Sequence, residues 1–200
     1  MLVIGLTGPS GAGKGTVGAI LAEHGIPVID ADAVYHELLV PPSPCLDALR
    51  ARFGDDILLP SGELNRRRLG DTVFSDPEAL QDLNRIAHGF VMAEIRKQLN
   101  VLREQNIPAA VIDAPQLFEA EADKDCNVII SVLADKRLRL ERIMARDGID
   151  GETALRRINA QKSDEFFRTH SNYILENNGN TDLLRPQITR ILTETGVLTP

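Results

Sequence analysis

Short apolar runs alternate with longer amphipathic stretches along this chain. Five runs rich in Val, Ile and Leu predict strands at residues 2–6, 27–30, 109–113, 127–133 and 172–175. Several of these runs are apolar almost throughout, which is typical of strands that are covered on both faces of a sheet. Between them, the pattern predicts helices at residues 14–24, 77–104, 135–146, 151–168 and 180–195. This alternation predicts an α/β fold with a doubly wound parallel sheet and right-handed crossovers.

One connection, between the second and third predicted strands, is much longer than a single crossover requires. Its pattern is mainly helical, and Asp76 followed by Pro77 marks the start of its last long helix. Aspartate caps helices well, and proline suits the first helical turn. We therefore expect residues 35–104 to form a helical substrate-binding insertion, whereas 1–34 and 105–200 form the core.

Composition excludes several classes of partner. The chain has 200 residues and a net charge of −7, and its longest basic run is Arg66–Arg68. Nucleic-acid binding needs a sustained basic surface, so we expect no nucleic-acid partner. No apolar run is long enough to cross a bilayer, so we expect no membrane association. Cys45 and Cys126 fit no metal-ligand spacing and are interpreted as reduced thiols in a cytoplasmic protein.

The clearest chemical signal is the sequence GPSGAGKGT at residues 8–16. It lies between a predicted strand and a predicted helix, which is the context of a phosphate-binding loop. Glycines allow successive backbone N–H groups to point at phosphate oxygens, and the helix N-terminus adds a favourable dipole. The alternative is a glycine-rich turn without a ligand, but the context favours nucleotide binding. The predicted nucleotide-binding residues of the loop are Gly8, Gly11, Ala12, Gly13, Lys14, Gly15 and Thr16.

Gly15 stands where such loops usually carry Ser or Thr, whose hydroxyl ligates Mg²⁺. Thr16 cannot simply replace that residue, because adjacent helical residues point about 100° apart. Since Mg²⁺ readily keeps several waters, a water oriented by a carboxylate can fill the position. Asp30 and Asp113 each end a predicted strand at the ligand-binding edge of a parallel sheet, so we expect them to orient magnesium through water. Capping of the next helix is an equal alternative for Asp30.

Asp32 is the best candidate for a general base. It follows the second predicted strand in the sequence DAD, and the ligand-binding edge of the sheet is where a catalytic carboxylate is needed. An aspartate at such a place accepts the proton of the attacking hydroxyl in phosphoryl transfer. Its alternative role is also that of a helix cap, and the catalytic interpretation is favoured.

Eight stretches along the chain are GLTGPSGAGKGTV, GIPVIDAD, GELNRRRLGDTVF, LNRIAH, VIDAPQLFE, RIMARDG, RINAQ and ILENNG. They occur in the order found in dephospho-CoA kinases, and the chain resembles this family up to about residue 180. The first is shared by many kinases, whereas the combination of DAD, LNRIAH and NNG is more specific. The resemblance implies a P-loop NTPase kinase fold with a helical CoA-binding insertion and a mobile lid. It also implies that the γ-phosphate of ATP is transferred to the ribose 3′-hydroxyl of dephospho-CoA, the last step of coenzyme A synthesis.

The resemblance implies roles for individual residues as well. It makes Asp32 the base, it places Arg66 and His88 in or near the acceptor site, and it places Asn177 against the adenine of ATP. A solvated helix face is the alternative for the arginine run, and a turn before a glycine is the alternative for Asn177. Gln116 lies in a stretch that could contact the acceptor.

Residues 139–165 look like the lid of these kinases. Arg142 and Arg146 are four residues apart on one predicted helix face, so both can point at one anion. We expect Lys14 to reach the β- and γ-phosphates. Closing the two arginines over the γ-phosphate would neutralise further charge in the transition state and exclude water. An arginine-rich helix surface is the alternative.

The chain departs from the family pattern at a few positions. Gly15 replaces a hydroxyl residue, Gly89 replaces a proline, Gln116 replaces an apolar residue and Asn172 replaces an acidic one. These departures leave two alternatives to an ATP- and Mg²⁺-dependent dephospho-CoA kinase. One is a related small-molecule kinase with another acceptor, such as a nucleoside monophosphate, and the other is a non-catalytic nucleotide-binding regulator. We expect a monomer or a weak homo-oligomer.

Overall fold

A five-stranded sheet organises the chain in a computed structural model that describes residues 1–198. The strands are β1 (Leu2–Thr7), β2 (Val28–Asp30), β3 (Ala109–Asp113), β4 (Val128–Leu133) and β5 (Tyr173–Glu176). The helices are α1 (Lys14–Glu23), α2 (Ala31–Glu37), α3 (Pro44–Phe53), α4 (Arg66–Val73), α5 (Pro77–Glu104), α6 (Lys136–Asp147), α7 (Gly151–Asn159), α8 (Asp164–His170) and α9 (Leu184–Glu194). Short 3₁₀ turns lie at Asp55–Ile57, Ala122–Asp125 and Thr181–Leu183.

The strand order is β2-β3-β1-β4-β5, with helical connections between the strands. Strand β1 pairs in parallel with β3 and with β4, and β4 pairs in parallel with β5. All five residues of β3 are buried, as expected for a strand covered on both faces. The predicted α/β class with a doubly wound parallel sheet is confirmed.

One apolar cluster packs helices α1 and α9 against the sheet. Ile4 and Leu6 of β1, Leu21 of α1 and Ile188 of α9 are all fully buried within it. Burial of an aliphatic side chain of this size stabilises the fold by about 1.5–3 kcal/mol. The cluster therefore holds α1, and with it the loop that precedes α1, firmly on the sheet.

The chain divides into two compact units. The core comprises Met1–Ile29 and the chain from Leu102 onward, and the insertion comprises Asp30–Val101. Compared with the predicted boundaries, α2 falls in the insertion and the last turn of α5 falls in the core. The insertion has its own apolar cluster, in which Leu49 and Ile57 are fully buried.

The region predicted as a lid contains helices α6 and α7 and the segment that follows them. Ile143 of α6 packs with Ala154 and Ile158 of α7 in a small apolar cluster. The prediction of one continuous helix over residues 151–168 is wrong, because α7 ends at Asn159 and α8 begins at Asp164. Ser163 starts the second helix, since its Oγ accepts a hydrogen bond of 3.2 Å from the N–H of Phe166.

Candidate active site

Lys14 and Asp113 form an ion pair where strands β1 and β3 end. Lys14 is the first residue of α1, and Asp113 is the last residue of β3, in register with Leu6 of β1. The Nζ of Lys14 donates a hydrogen bond to Oδ1 of Asp113, and both side chains are largely buried. The structure thus brings together the predicted phosphate-binding lysine and one of the predicted magnesium-orienting carboxylates.

Gly13 and Asn177 are packed closely against each other. Gly13 caps α1 in a left-handed conformation with φ +94°, and a Cβ added there would lie 2.0 Å from Nδ2 of Asn177. Asn177 is only 3% exposed, and its Nδ2 donates a hydrogen bond of 2.8 Å to the carbonyl of Ala12. Only glycine fits between the loop and this amide. Asn177 therefore supports the loop backbone, while its contact with adenine stays a prediction.

Arg142 binds the same stretch of the loop. Its guanidinium donates to the carbonyl oxygens of Gly11 at 3.1 Å, Ala12 at 3.4 Å and Asn177 at 3.1 Å. In a trans peptide the N–H points opposite to the carbonyl, so holding the carbonyl of Ala12 turns the N–H of Gly13 away from Arg142. Arg142 therefore orients the loop backbone, and its closure over a γ-phosphate stays a prediction.

Arg146 lies one helical turn further along α6 and is exposed. It donates two hydrogen bonds of 2.7 and 3.0 Å to the carboxylate of Asp147 and one of 3.3 Å to Oγ of Ser10. The bond to Asp147 raises the pKa of Arg146, and the same bond lowers the pKa of Asp147. Both side chains are therefore charged at neutral pH, and the predicted arginine pair of α6 is placed against the phosphate loop.

Orientation of magnesium through water by Asp30 and Asp113 stays a prediction. Gly15 is exposed with nothing within 4 Å of an added Cβ, and Thr16 beside it is exposed as well. Within residues 1–198, no group of three or more His, Cys, Asp or Glu side chains could hold a metal ion. Mg²⁺ bound with ATP typically takes only one or two carboxylates and completes its shell with phosphate and water oxygens. The carboxylate of Asp113 beside the loop fits that requirement.

Asp30 caps helix α2. Its Oδ1 accepts hydrogen bonds from the backbone N–H groups of Asp32 at 2.9 Å and Ala33 at 3.1 Å. Of the two roles considered for Asp30, the structure therefore shows the cap, and the magnesium role stays a prediction. Asp32 is exposed in the first turn of α2, a position from which its carboxylate is accessible to a ligand.

A cavity of about 210 Å³ opens within the insertion. Its lining residues are His36, Leu39, Val40, Pro41, Glu63, Leu64 and Arg66. Arg66 starts helix α4, and its side chain is exposed. The cavity thus combines an apolar wall with one cationic, one acidic and one imidazole side chain.

The two remaining predicted acceptor residues occupy separate elements. His88 is half-buried in the middle of α5 in the insertion, and Gln116 is exposed in the core just after β3. The carbonyl of Gln116 accepts a hydrogen bond of 2.9 Å from the N–H of Ala120, which shapes the loop after the strand. Their contacts with an acceptor stay predictions.

The sequence analysis missed several residues of these two regions. His36 and Glu63 line the cavity, and Arg139 and Gln161 contact Ser10 of the phosphate loop. For Arg139 the only available signal was its spacing of three residues before Arg142, which places both side chains on one helix face.

Comparisons with known proteins agree with this geometry. The family model for dephospho-CoA kinase matches residues 2–182. A dephospho-CoA kinase of Symbiobacterium thermophilum is 38% identical over 188 residues, which are 94% of this chain and 79% of that protein.

Two solved structures extend the similarity to the fold. The crystal structure of TT1252 from Thermus thermophilus has a TM-score of 0.81 and 34% identity, covering 96% of this chain and 97% of that one. A dephospho-CoA kinase from Campylobacter jejuni has a TM-score of 0.72 and 26% identity, covering 98% of both chains. With a phosphate loop, a cavity-bearing insertion and these matches over nearly its whole length, the chain belongs to the dephospho-CoA kinase family, ATP-dependent transferases that phosphorylate dephospho-CoA in coenzyme A biosynthesis.

Proposed function

We propose that this chain transfers the γ-phosphate of Mg²⁺-bound ATP to the ribose 3′-hydroxyl of dephospho-CoA. The observation that carries the proposal is the phosphate loop with its Lys14–Asp113 ion pair, in a chain that matches the family over residues 2–182. The core supplies the nucleotide site, and the insertion supplies the acceptor site.

On the donor side, the chain binds the triphosphate and stabilises the charge that develops on it. Lys14 and the backbone N–H groups at the start of α1 bind the β- and γ-phosphates, where the helix dipole favours negative charge. Arg142 and Arg146 add positive charge from α6 and exclude water when the lid region is closed. Bound magnesium supplies additional charge neutralisation, and Asp113 would orient it through water.

Lys14 must exchange partners when ATP binds. Its ammonium group is held by Asp113 in this structure. A triphosphate carries more negative charge than one carboxylate and offers several acceptor oxygens, so it competes effectively for the ammonium group. Asp113 would then be able to orient a magnesium-bound water in place of the ammonium group.

On the acceptor side, Asp32 accepts the proton of the attacking hydroxyl. Its carboxylate is exposed in the first turn of α2, where an attacking hydroxyl can reach it. Arg66 at the cavity binds the anionic part of dephospho-CoA, since guanidinium groups recognise phosphate oxygens in a forked geometry. We assign His88 and Gln116 supporting contacts with the acceptor.

The position of phosphorylation on the product tests this proposal. Dephospho-CoA and ATP–Mg²⁺ are incubated with the enzyme, and the purified product is analysed by phosphorus-to-proton correlation NMR. The new phosphorus resonance is expected to correlate with the ribose H3′ proton, and an Asp32→Asn variant serves as the matched control for contaminating kinases. Correlation with H2′, or no product formed by the unmodified enzyme, would contradict the proposal.

The working form of the enzyme is proposed to be a monomer or weak homo-oligomer in the cytoplasm. Support for the compartment comes from Cys45 and Cys126, which are both free thiols in the structure, as is typical of proteins in a reducing environment. Among residues 1–198, no helix has the length and apolar character to cross a membrane.

A further inference from the structure

A buried arginine connects the phosphate loop with the segment between α7 and α8. Arg139 of α6 is only 4% exposed. Its Nε donates to the carbonyl of Ser10 at 3.0 Å, Nη2 donates to Oε1 of Gln161 at 2.9 Å, and Nη1 contacts Oδ1 of Asp164 at 3.4 Å. One guanidinium therefore joins two parts of the chain, at Ser10 and at Gln161 to Asp164, of which Ser10 and Gln161 are 151 residues apart in sequence.

Such burial is unfavourable unless every donor finds an acceptor. Removing a guanidinium from water disfavours its charged form, and burial lowers the pKa of Arg139 while the carboxylate of Asp164 opposes that effect. Two carbonyl oxygens and one carboxylate compensate the buried charge. Arg137, on the same helix, is the contrast, because it is exposed and pairs with Glu141 one turn away.

Both the carbonyl and the N–H of Ser10 are hydrogen-bonded to side chains. The same Oε1 of Gln161 that accepts from Arg139 also accepts a hydrogen bond of 3.1 Å from the N–H of Ser10. The carbonyl and the N–H of one loop residue are thus fixed by Arg139 and Gln161, and these two side chains are bonded to each other. Because a hydrogen-bonded ring of this kind fixes several torsions together, it restricts the loop backbone strongly.

The next loop residue is held by close packing. A Cβ added to Gly11 would lie 2.7 Å from the backbone oxygen of Arg139 and 2.9 Å from its Cα. The loop therefore lies directly on the first turn of α6.

We propose that Arg139 and Gln161 are positioning residues that hold the phosphate loop in its ATP-binding conformation before ATP arrives. Neither residue needs to touch ATP for this role, which rests on the proposed binding of ATP at the loop. If the loop had to be ordered at the moment of binding, that conformational cost would be subtracted from the affinity for ATP. Preorganisation lowers the Kd for ATP and leaves the chemical step unchanged.

The test compares ATP binding with turnover in Arg139→Ala, Gln161→Ala and the double variant, with Arg137→Ala as the matched control. Binding is measured by titration with a fluorescent ATP analogue, and kcat and KM are measured with dephospho-CoA as acceptor. Each single variant is expected to raise the Kd and KM for ATP about tenfold, which corresponds to about 1.4 kcal/mol, with kcat unchanged within about twofold. The double variant is expected to match the single ones, because both substitutions break the same ring.

Two further measurements separate positioning from loss of folding. Gln161 is exposed, so Gln161→Ala is expected to keep the thermal midpoint of the parent enzyme and still lose affinity. Amide hydrogen exchange at Ser10 without nucleotide is expected to accelerate in Gln161→Ala and not in Arg137→Ala.

The outcomes distinguish this inference from the proposed function. An unmodified enzyme that fails to bind ATP would overturn the proposed function. An unmodified enzyme that binds ATP, together with a Gln161→Ala variant that has the parent Kd or loses only kcat, would overturn the positioning role.

Discussion

The phosphate loop and the acceptor side of this kinase are built in opposite ways. Around the loop, three polar side chains are buried and hydrogen-bonded: Asn177, Arg139 and Asp113 are 3%, 4% and 7% exposed. In the insertion, Asp32 and Arg66 are both exposed. The residues around the loop are held by one another, whereas the two residues proposed for the acceptor site are open to solvent.

This difference separates two kinds of contribution to catalysis. Side chains that support a loop act through its conformation, so their loss affects affinity for ATP. Exposed side chains that contact the substrate act directly, so their loss affects the rate or the acceptor KM without disturbing the fold. Four substitutions test the division.

The largest effect is expected for Asp32→Asn. An amide at this position cannot take the proton of the attacking hydroxyl, so kcat is expected to fall by about 10²–10⁴-fold. The Kd for ATP and the thermal midpoint should stay near those of the parent enzyme, because the side chain is exposed on α2. Steady-state kinetics and a nucleotide titration measure the two quantities. Full activity of the variant would remove Asp32 from the role of base.

The next largest effect is expected for Gly13→Ala. A left-handed alanine costs about 1–2 kcal/mol, and the clash of its Cβ with Nδ2 of Asn177, only 2.0 Å away, adds to that cost. We expect the Kd for ATP to rise by at least about tenfold. Gly15→Ala is the contrast, since an added Cβ there meets nothing within 4 Å. Equal losses of affinity in the two variants would show that the support by Asn177 does not matter.

A smaller effect, confined to the other substrate, is expected for Arg66→Ala. Loss of one charged hydrogen bond to dephospho-CoA should raise the KM for dephospho-CoA about tenfold and leave the KM for ATP unchanged. Arg67→Ala is the matched control, because Arg67 is an exposed neighbour on α4 that does not line the cavity. The same change in both variants would indicate a general effect of surface charge.

The smallest effect is expected for Gly15→Ser. The added side chain has room and supplies the hydroxyl that this position usually carries in phosphate-binding loops. The Mg²⁺ concentration for half-maximal rate should fall by about two- to threefold, the lower range for one neutral polar contact. Gly15→Ala controls for volume and helix propensity. An identical magnesium titration for Ser and Ala would show that this position does not contribute to the metal site.

The parts of the fold that depend on local pattern were predicted well from the sequence. Strands β1 and β3 follow from continuous apolar runs, and the loop before α1 follows from glycine spacing between a strand and a helix. The break between α7 and α8 was missed, although Ser163 is a good helix cap. Neither glycine nor proline lies between Ile158 and Phe166, so no strong helix breaker marked the end of α7.

The supporting contacts of the site could not be predicted in the same way. Whether an arginine such as Arg139 is buried depends on what packs over it, and its partners Ser10 and Gln161 are 129 and 22 residues away. His36 and Glu63 are likewise brought to one cavity only by the folding of the insertion. Sequence spacing identifies groups on one element, whereas these sites join several elements.

The most direct test of the account is the choice of acceptor, because the insertion is proposed to select it. ADP release is measured by a coupled assay with ATP–Mg²⁺ and dephospho-CoA, AMP, CMP or adenosine, each titrated to give kcat/KM. The account predicts the highest kcat/KM for dephospho-CoA, and a selective loss of that preference in Arg66→Ala. A higher kcat/KM for a nucleoside monophosphate would contradict it.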